Sequence, residues 1–185
     1  AASDVYKRQG IYYEADQRHA EIIADTVGLK MGSKGVVTPG QKQTIEEIKK
    51  DEGKRLGEKE STIYRACVAR ANYLTQDRGD IAYATKELAR RMSEPTEGDW
   101  EGLKRLGRYL VDKGRYTQRF GYHEEVKELV AWSDTDFAGC LRTRRSTSGG
   151  VLMIGDHVLK TWSTTQAVVA TSSGEAEYYA LAKTG

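Results

Sequence analysis

Trp132-Ser133-Asp134-Thr135-Asp136-Phe137 closes an alternating run that begins at Leu129, and it decides how the rest of the chain is read. Alternation over 129–137 predicts a strand. Aspartate is among the poorest strand formers, so two of them at the end of one strand call for a reason. A period of two puts both carboxylates on one face. Two readings stay open on this pattern alone. In one, hard oxygen ligands gather Mg²⁺ or Mn²⁺, and the ion stabilises charge developing at a phosphodiester. In the other, the acids are solvated or bound by Arg142, Arg144 and Arg145, which follow in the next connection.

Working downstream, 150–154 and 158–162 read as two further strands. Gly155-Asp156 between them forms a hairpin turn, where glycine supplies the positive φ that a tight turn needs. A last extended stretch covers 167–170. Ser172 then caps a helix in which Glu175 stands third and can reach back to the cap's backbone N–H. Glu177 has no such local duty, which makes it the better metal ligand of the pair, with a solvated surface acid as the alternative. Arg142, Arg144 and Arg145 form the densest basic cluster, suited either to a phosphate backbone beside the acids or to a charged turn.

Upstream the period is helical. Ile11 to Ala15 is extended, and Asp16 caps a helix carrying Ala20, Ile23, Ala24 and Val27 inward as far as Gly28. From 30 to 60 the composition shifts to Gly, Lys and Glu with little periodicity; this reads as a solvated linker in which Ile45 and Ile48 hold one helical turn at most. From Ser61, the residues Tyr64, Cys67, Val68, Ala71 and Leu74 form an apolar stripe. Asp80 caps a second helix with Ile81, Thr85, Leu88 and Met92 on one face. Thr96 and Asp99 open a third, with Trp100, Leu103, Leu106 and Leu110 inward and Lys104, Arg105 and Arg108 outward. That basic face fits a nucleic-acid contact or an ordinary exposed helix.

Bulk numbers narrow the classes. The 185 residues carry 29 Lys+Arg against 27 Asp+Glu, so net charge by itself does not select nucleic acid. Cys67 and Cys140 lack metal spacing and read as small buried residues in a reducing compartment. His19, His123 and His157 are scattered, and Ser148-Gly149-Gly150 lacks the Lys-Ser or Lys-Thr of a phosphate loop. No apolar run approaches the roughly 20 residues that span a bilayer. A phosphatase using Asp134 as nucleophile and Asp136 as acid is disfavoured, because Ala138 stands where that chemistry has Thr or Val.

Several ordered blocks resemble the Pol polyprotein of copia-type LTR retrotransposons. Tyr13 through His19 and Val36-Val37-Thr38-Pro39-Gly40 resemble the stretch after the polymerase palm. Tyr64 through Leu74, Asp80 through Ala84, and Pro95 through Leu110 are similar to the connection between reverse transcriptase and RNase H. Ser133 through Gly139, Arg144 through Gly149, and Ser172 through Tyr178 are similar to successive blocks of RNase H. The resemblance implies that Asp134 and Glu177 are two of four acids holding two Mg²⁺ ions, with Asp136 a further candidate, and that the parent cleaves RNA in RNA–DNA hybrids. It implies as partners an RNA–DNA hybrid or template–primer duplex and the rest of the Pol polyprotein, with no membrane. Location would be intracellular, in cytoplasm, nucleus or virus-like particle.

The expected organisation is α/β of the α+β kind, a helical thumb or connection segment followed by a partial RNase H-like meander and first helix. Its divisions are 1–10, resembling a cloning or assembly scar; 11–29, the end of the palm; 30–60, a linker; 61–115, a helical connection; and 116–185, a partial RNase H-like domain. The chain has no initiator Met and ends inside a helical pattern, so a fragment is expected, lacking the paired-Asp motif of the palm and two of the nuclease acids. A non-catalytic nucleic-acid-binding module is the alternative.

Overall fold

The computed structural model describes residues 10–30, 32–123, 125 and 128–184. Of the segment read as a scar, residues 1–9 lie outside the described residues. The chain is mixed α and β, with six helices and two small antiparallel sheets among the described residues, which is an α+β composition. Its contacts divide into two units, one of residues 15–116 and one of 1–14 with 117–185.

The helical unit is built where apolar residues recur at helical spacing. Helix α1 (Gln17–Thr26) starts at Asp16, whose carboxylate accepts a 3.0 Å bond from the Arg18 amide, and it buries Ala20, Ile23 and Ala24. Gly28, at φ +78°, lets the chain leave it. Helix α2 (Ile45–Asp51) lies inside the stretch expected to be linker. Its start is set by local chemistry: Thr44 and Glu47 form a reciprocal capping box, with acids in the first turn and lysines in the last.

Helix α3 (Glu58–Leu74) buries Tyr64, Cys67, Val68, Ala71 and Leu74, as its stripe predicts. It begins three residues before Ser61, because the Glu60 carboxylate accepts a bond from the Gly57 amide and opens an extra polar turn. A 3₁₀ turn (Gly79–Ile81) leads into α4 (Ala82–Ala89). Asp80 does not cap α4 as expected. Its carboxylate is taken by the Arg78 guanidinium at 2.7 and 2.9 Å and by the Tyr109 hydroxyl at 2.8 Å.

Helix α5 (Glu97–Asp112) opens with the expected Thr96/Asp99 box and buries Leu103, Leu106 and Leu110. These three, with Ile23, Tyr64, Val68 and Ile81, are almost wholly out of water and form the core of this unit. Each such side chain contributes roughly 1.5–3 kcal/mol by burial. Tyr64 is buried with its hydroxyl donating to the Leu88 carbonyl at 2.8 Å, so it brings no unpaired polar atom into the core.

The second unit is strand-rich. Strand β1 (Ile11–Glu14) pairs antiparallel with β2 (Thr117–Phe120), which the sequence reading did not foresee. Strands β3 (Leu129–Asp136), β4 (Thr147–Ile154) and β5 (His157–Thr165) form an antiparallel meander in that order. Gly155, at φ +55°, makes the β4–β5 turn. The 167–170 stretch expected to be extended forms no strand and leads directly into α6 (Ser173–Thr184), which packs on β3 and β4. No described helix is long and apolar enough to cross a membrane.

Candidate carboxylate site on the sheet

Asp134 and Asp136 occupy the end of β3, opposite Gly149 and Thr147 of β4. Asp134 is exposed and Asp136 half-buried. The chain then turns sharply. Ala138 takes a left-handed φ of 50° with its amide donating to the Ser146 hydroxyl at 3.1 Å, and the Gly139 amide donates to the Asp136 carbonyl at 3.2 Å. A side chain at 139 would collide with the Asp136 carboxylate, which accounts for glycine there.

At the head of α6 the Ser172 hydroxyl accepts a 3.1 Å bond from the Glu175 amide, so Ser172 is the cap. Glu175 folds back further than expected. Its carboxylate accepts from the amide and hydroxyl of Thr171, at 2.7 and 2.6 Å, and from the Tyr179 hydroxyl at 2.9 Å. The bonds from Thr171 hold its carboxyl below the usual range. Glu175 therefore serves the helix start, one residue beyond the amide first assigned to it.

Glu177 meets the Asp-bearing strand. The Thr135 hydroxyl lies 3.3 Å from Glu177 Oε2 and 3.3 Å from the Ala176 carbonyl, a single O–H facing two acceptors. Thr135 thus points towards α6, and strand alternation turns its neighbours Asp134 and Asp136 to the other face. Near this junction lies Gln166, which no sequence pattern singled out. It is 8% exposed, and its amide nitrogen donates to the Ser148 hydroxyl at 2.9 Å and to the Ala176 carbonyl at 2.8 Å. The signal in the sequence was faint: a glutamine directly after a strand, where a surface residue would also fit.

The basic candidates divide. Arg142, Arg144 and Arg145 are exposed on the β3–β4 connection, where Arg144 takes φ 58° and its amide donates to the Cys140 carbonyl at 2.7 Å. On α5, in the helical unit, Arg108 is exposed, but Lys104 pairs with Glu101 at 2.7 Å and Arg105 donates to the Thr38 hydroxyl at 2.8 Å. Two of the three residues of that face are therefore engaged within the fold. Cys67 is buried and Cys140 half-buried, and neither is part of a disulfide.

Carboxylate oxygens are the right donors for a hard divalent cation, and β3 presents Asp134 and Asp136 on one face while Glu177 meets the other. The number falls short, since no group of three or more His, Cys, Asp or Glu side chains stands together among the described residues. Such an ion takes about six oxygen ligands, with water completing the shell. These residues therefore fit part of a cation site.

No known family profile and no solved structure matches the chain. Several curated relatives do. An uncharacterized mitochondrial protein of Arabidopsis thaliana is 40% identical over 122 residues, covering 65% of this chain and 50% of the relative. The retrovirus-related Pol polyprotein from transposon RE2 of the same plant is 32% identical over 179 residues, covering 95% of this chain and 12% of the polyprotein. A protein of Plasmopara viticola described as secreted RxLR effector protein 161 is 37% identical over 121 residues, covering 65% of this chain and 84% of that protein. The chain thus spans about half the length of the mitochondrial relative and a small part of the polyprotein. Pol polyproteins of further transposons match as well, and the RE2 match runs through almost every block described above: the chain belongs to the retrovirus-related Pol polyproteins of copia-type transposons, of which it represents one segment.

Proposed function

We propose that this Pol segment supplies Asp134 and Glu177 to a divalent-cation site of RNase H type, which cleaves the RNA strand of an RNA–DNA hybrid during reverse transcription. The observation that carries the reading is the match to a transposon Pol polyprotein over 95% of the chain, which takes in both acid-bearing segments; the 3.3 Å contact of Thr135 with Glu177 brings α6 to β3 and leaves Asp134 on the strand's opposite face. Mg²⁺ or Mn²⁺, when bound, would polarise the phosphodiester and lower the pKa of an attacking water. Asp134 and Glu177 would hold the ion, with Asp136 as the further acid, which requires the end of β3 to turn Asp134 towards α6. Arg142, Arg144 and Arg145 would hold the hybrid's phosphates. The helical unit would be connection or thumb, and the work would take place inside the cell, where the element's RNA is copied.

Two carboxylates leave such an ion weakly held, so the chain itself is expected to cleave little. Mn²⁺ titration followed by electron paramagnetic resonance tests the site directly. Asp134→Asn and Glu177→Gln should each weaken binding by about tenfold or more. Affinities equal to that of the unsubstituted chain would remove the nuclease assignment. In that event a second reading takes over, a non-catalytic module that grips nucleic acid, favoured by the exposed arginines of the β3–β4 connection. It requires hybrid binding that falls with salt and with Arg144→Ala and Arg145→Ala, and that is indifferent to Asp134→Asn.

A further inference from the structure

We infer that Gln166 is a positioning residue, a strut that fixes the peptide carrying Glu177 against β4, the neighbour of the strand carrying Asp134. The inference deepens the carboxylate-site reading above and rests on it for its consequence, though not for its geometry. Ala176 is fully buried, and its carbonyl oxygen receives the Gln166 amide at 2.8 Å and the Thr135 hydroxyl at 3.3 Å. That carbonyl and the amide of Glu177 belong to one planar peptide unit, which ends at the Glu177 Cα. Holding the carbonyl therefore sets where the Glu177 side chain departs.

The other end of the strut is equally fixed. The Gln166 amide nitrogen also donates to Ser148 at 2.9 Å, and Ser148 stands opposite Thr135 in the β3–β4 register. The Gln166 backbone amide donates to the Ser146 carbonyl at 2.9 Å. The amide's orientation is dictated by its partners, because the Ala176 carbonyl can only accept and so must face the nitrogen. Both N–H groups are then used, and Oε1 is left buried without a partner. A methionine would fill similar space without the unpaired Oε1, but it would take the amide donors away from buried Ser148 and from the Ala176 carbonyl. Two polar contacts thus converge on the Ala176 carbonyl, one from Thr135 of β3 and one from Gln166, which is itself anchored on Ser148 of β4.

The test uses the full chain with Gln166→Met, which keeps length and removes both donors, and Ser148→Ala, which removes the sheet-side hydroxyl while leaving the Ala176 bond. Mn²⁺ affinity and amide hydrogen exchange along α6 are measured for each beside Glu177→Gln. Gln166→Met should weaken Mn²⁺ binding by about tenfold, the scale of an outer-shell loss, and should speed exchange at residues 177–180. Ser148→Ala, which loosens the anchored end of the strut, should weaken binding in the same direction and by less than Gln166→Met. If Glu177→Gln weakens binding and Gln166→Met does not, the positioning role is overturned while the cation site stands. If Glu177→Gln and Asp134→Asn change nothing, the cation site itself fails; unchanged exchange at 177–180 in Gln166→Met then overturns the strut on its own terms.

Discussion

Arg78 is the largest side chain almost wholly removed from water, at 1% exposure, and it is charged. Its guanidinium is satisfied on every side: two bonds to Asp80, one of 2.9 Å to the Lys113 carbonyl, and the face of Tyr116 at 5.0 Å. Removing one partner of such a pair strands the other, at a cost of roughly 3–5 kcal/mol. Asp80→Asn should therefore lower stability by about that much in urea unfolding at neutral pH; a loss below about 1 kcal/mol would mean that water replaces the carboxylate. The pH dependence follows from the same contact. Burial pushes the Asp80 carboxyl up, but the bonds from Arg78 and Tyr109 and the charge of Arg78 outweigh it and hold the folded value below the ordinary 3.8. Because the folded value is lowered, this contribution is fully present above the unfolded pKa and is lost as pH falls through the folded one. The acid limb of the unfolding profile below about pH 4 should flatten in Asp80→Asn. None of this was visible in the order of residues. Asp80 stands where a cap belongs, before an apolar stripe, but its oxygens are claimed by the buried guanidinium two residues earlier and by the distant Tyr109 hydroxyl.

At the scale of elements, helices with an apolar stripe were legible, and the element that lacked one was not. Helix α2 has almost no inward face, and it is held by polar bonds at both ends. Thr44 and Glu47 close its start, while buried Asp51 at its end accepts from the Thr96 hydroxyl and from the Gly98 amide at 2.8 Å, at the head of α5. The Thr44-x-x-Glu47 spacing was a usable signal; the Asp51 contact, 47 residues away in sequence, was not. The arrangement reverses an ordinary expectation. Gly→Ala within a helix normally stabilises by up to about 1 kcal/mol, but a Cβ at Gly98 would stand 2.6 Å from the Asp51 carboxylate. Gly98→Ala should thus destabilise, and it should turn neutral or stabilising once Asp51→Ala is present. Additive effects in that double-mutant cycle would show that the contact does not couple the two positions. The placement of the candidate acids was legible for a related reason: Asp at a strand end and a capped helix start are local signals, whereas Gln166 makes its contacts across separate elements and leaves no periodic trace.

For the whole molecule, the two units differ in what holds them. The helical unit buries Ile23, Tyr64, Val68, Ile81, Leu103, Leu106 and Leu110. In the strand-rich unit the described hydrophobic residues out of water are alanines, Ala170, Ala176 and Ala180, while Leu129, Trp132, Leu159, Tyr178 and Leu181 stay more than half exposed. Its sheet depends instead on ladder hydrogen bonds and on polar contacts around Ser146, Ser148 and Gln166, which contribute only about 1 kcal/mol net apiece. Buried alanines add little, because the hydrophobic contribution scales with the apolar area removed from water. The chain should accordingly open in parts, with the strand-rich unit reaching solvent at lower free energy than the helical one. Native-state hydrogen exchange across increasing denaturant would read this directly. Amides of β3, β4, β5 and α6 should exchange through an opening that leaves α3 and α5 protected, and a dye that binds exposed apolar surface should report the same step. One shared isotherm for both sets of amides would require the strand-rich unit to draw its stability from contacts that its burial does not reveal.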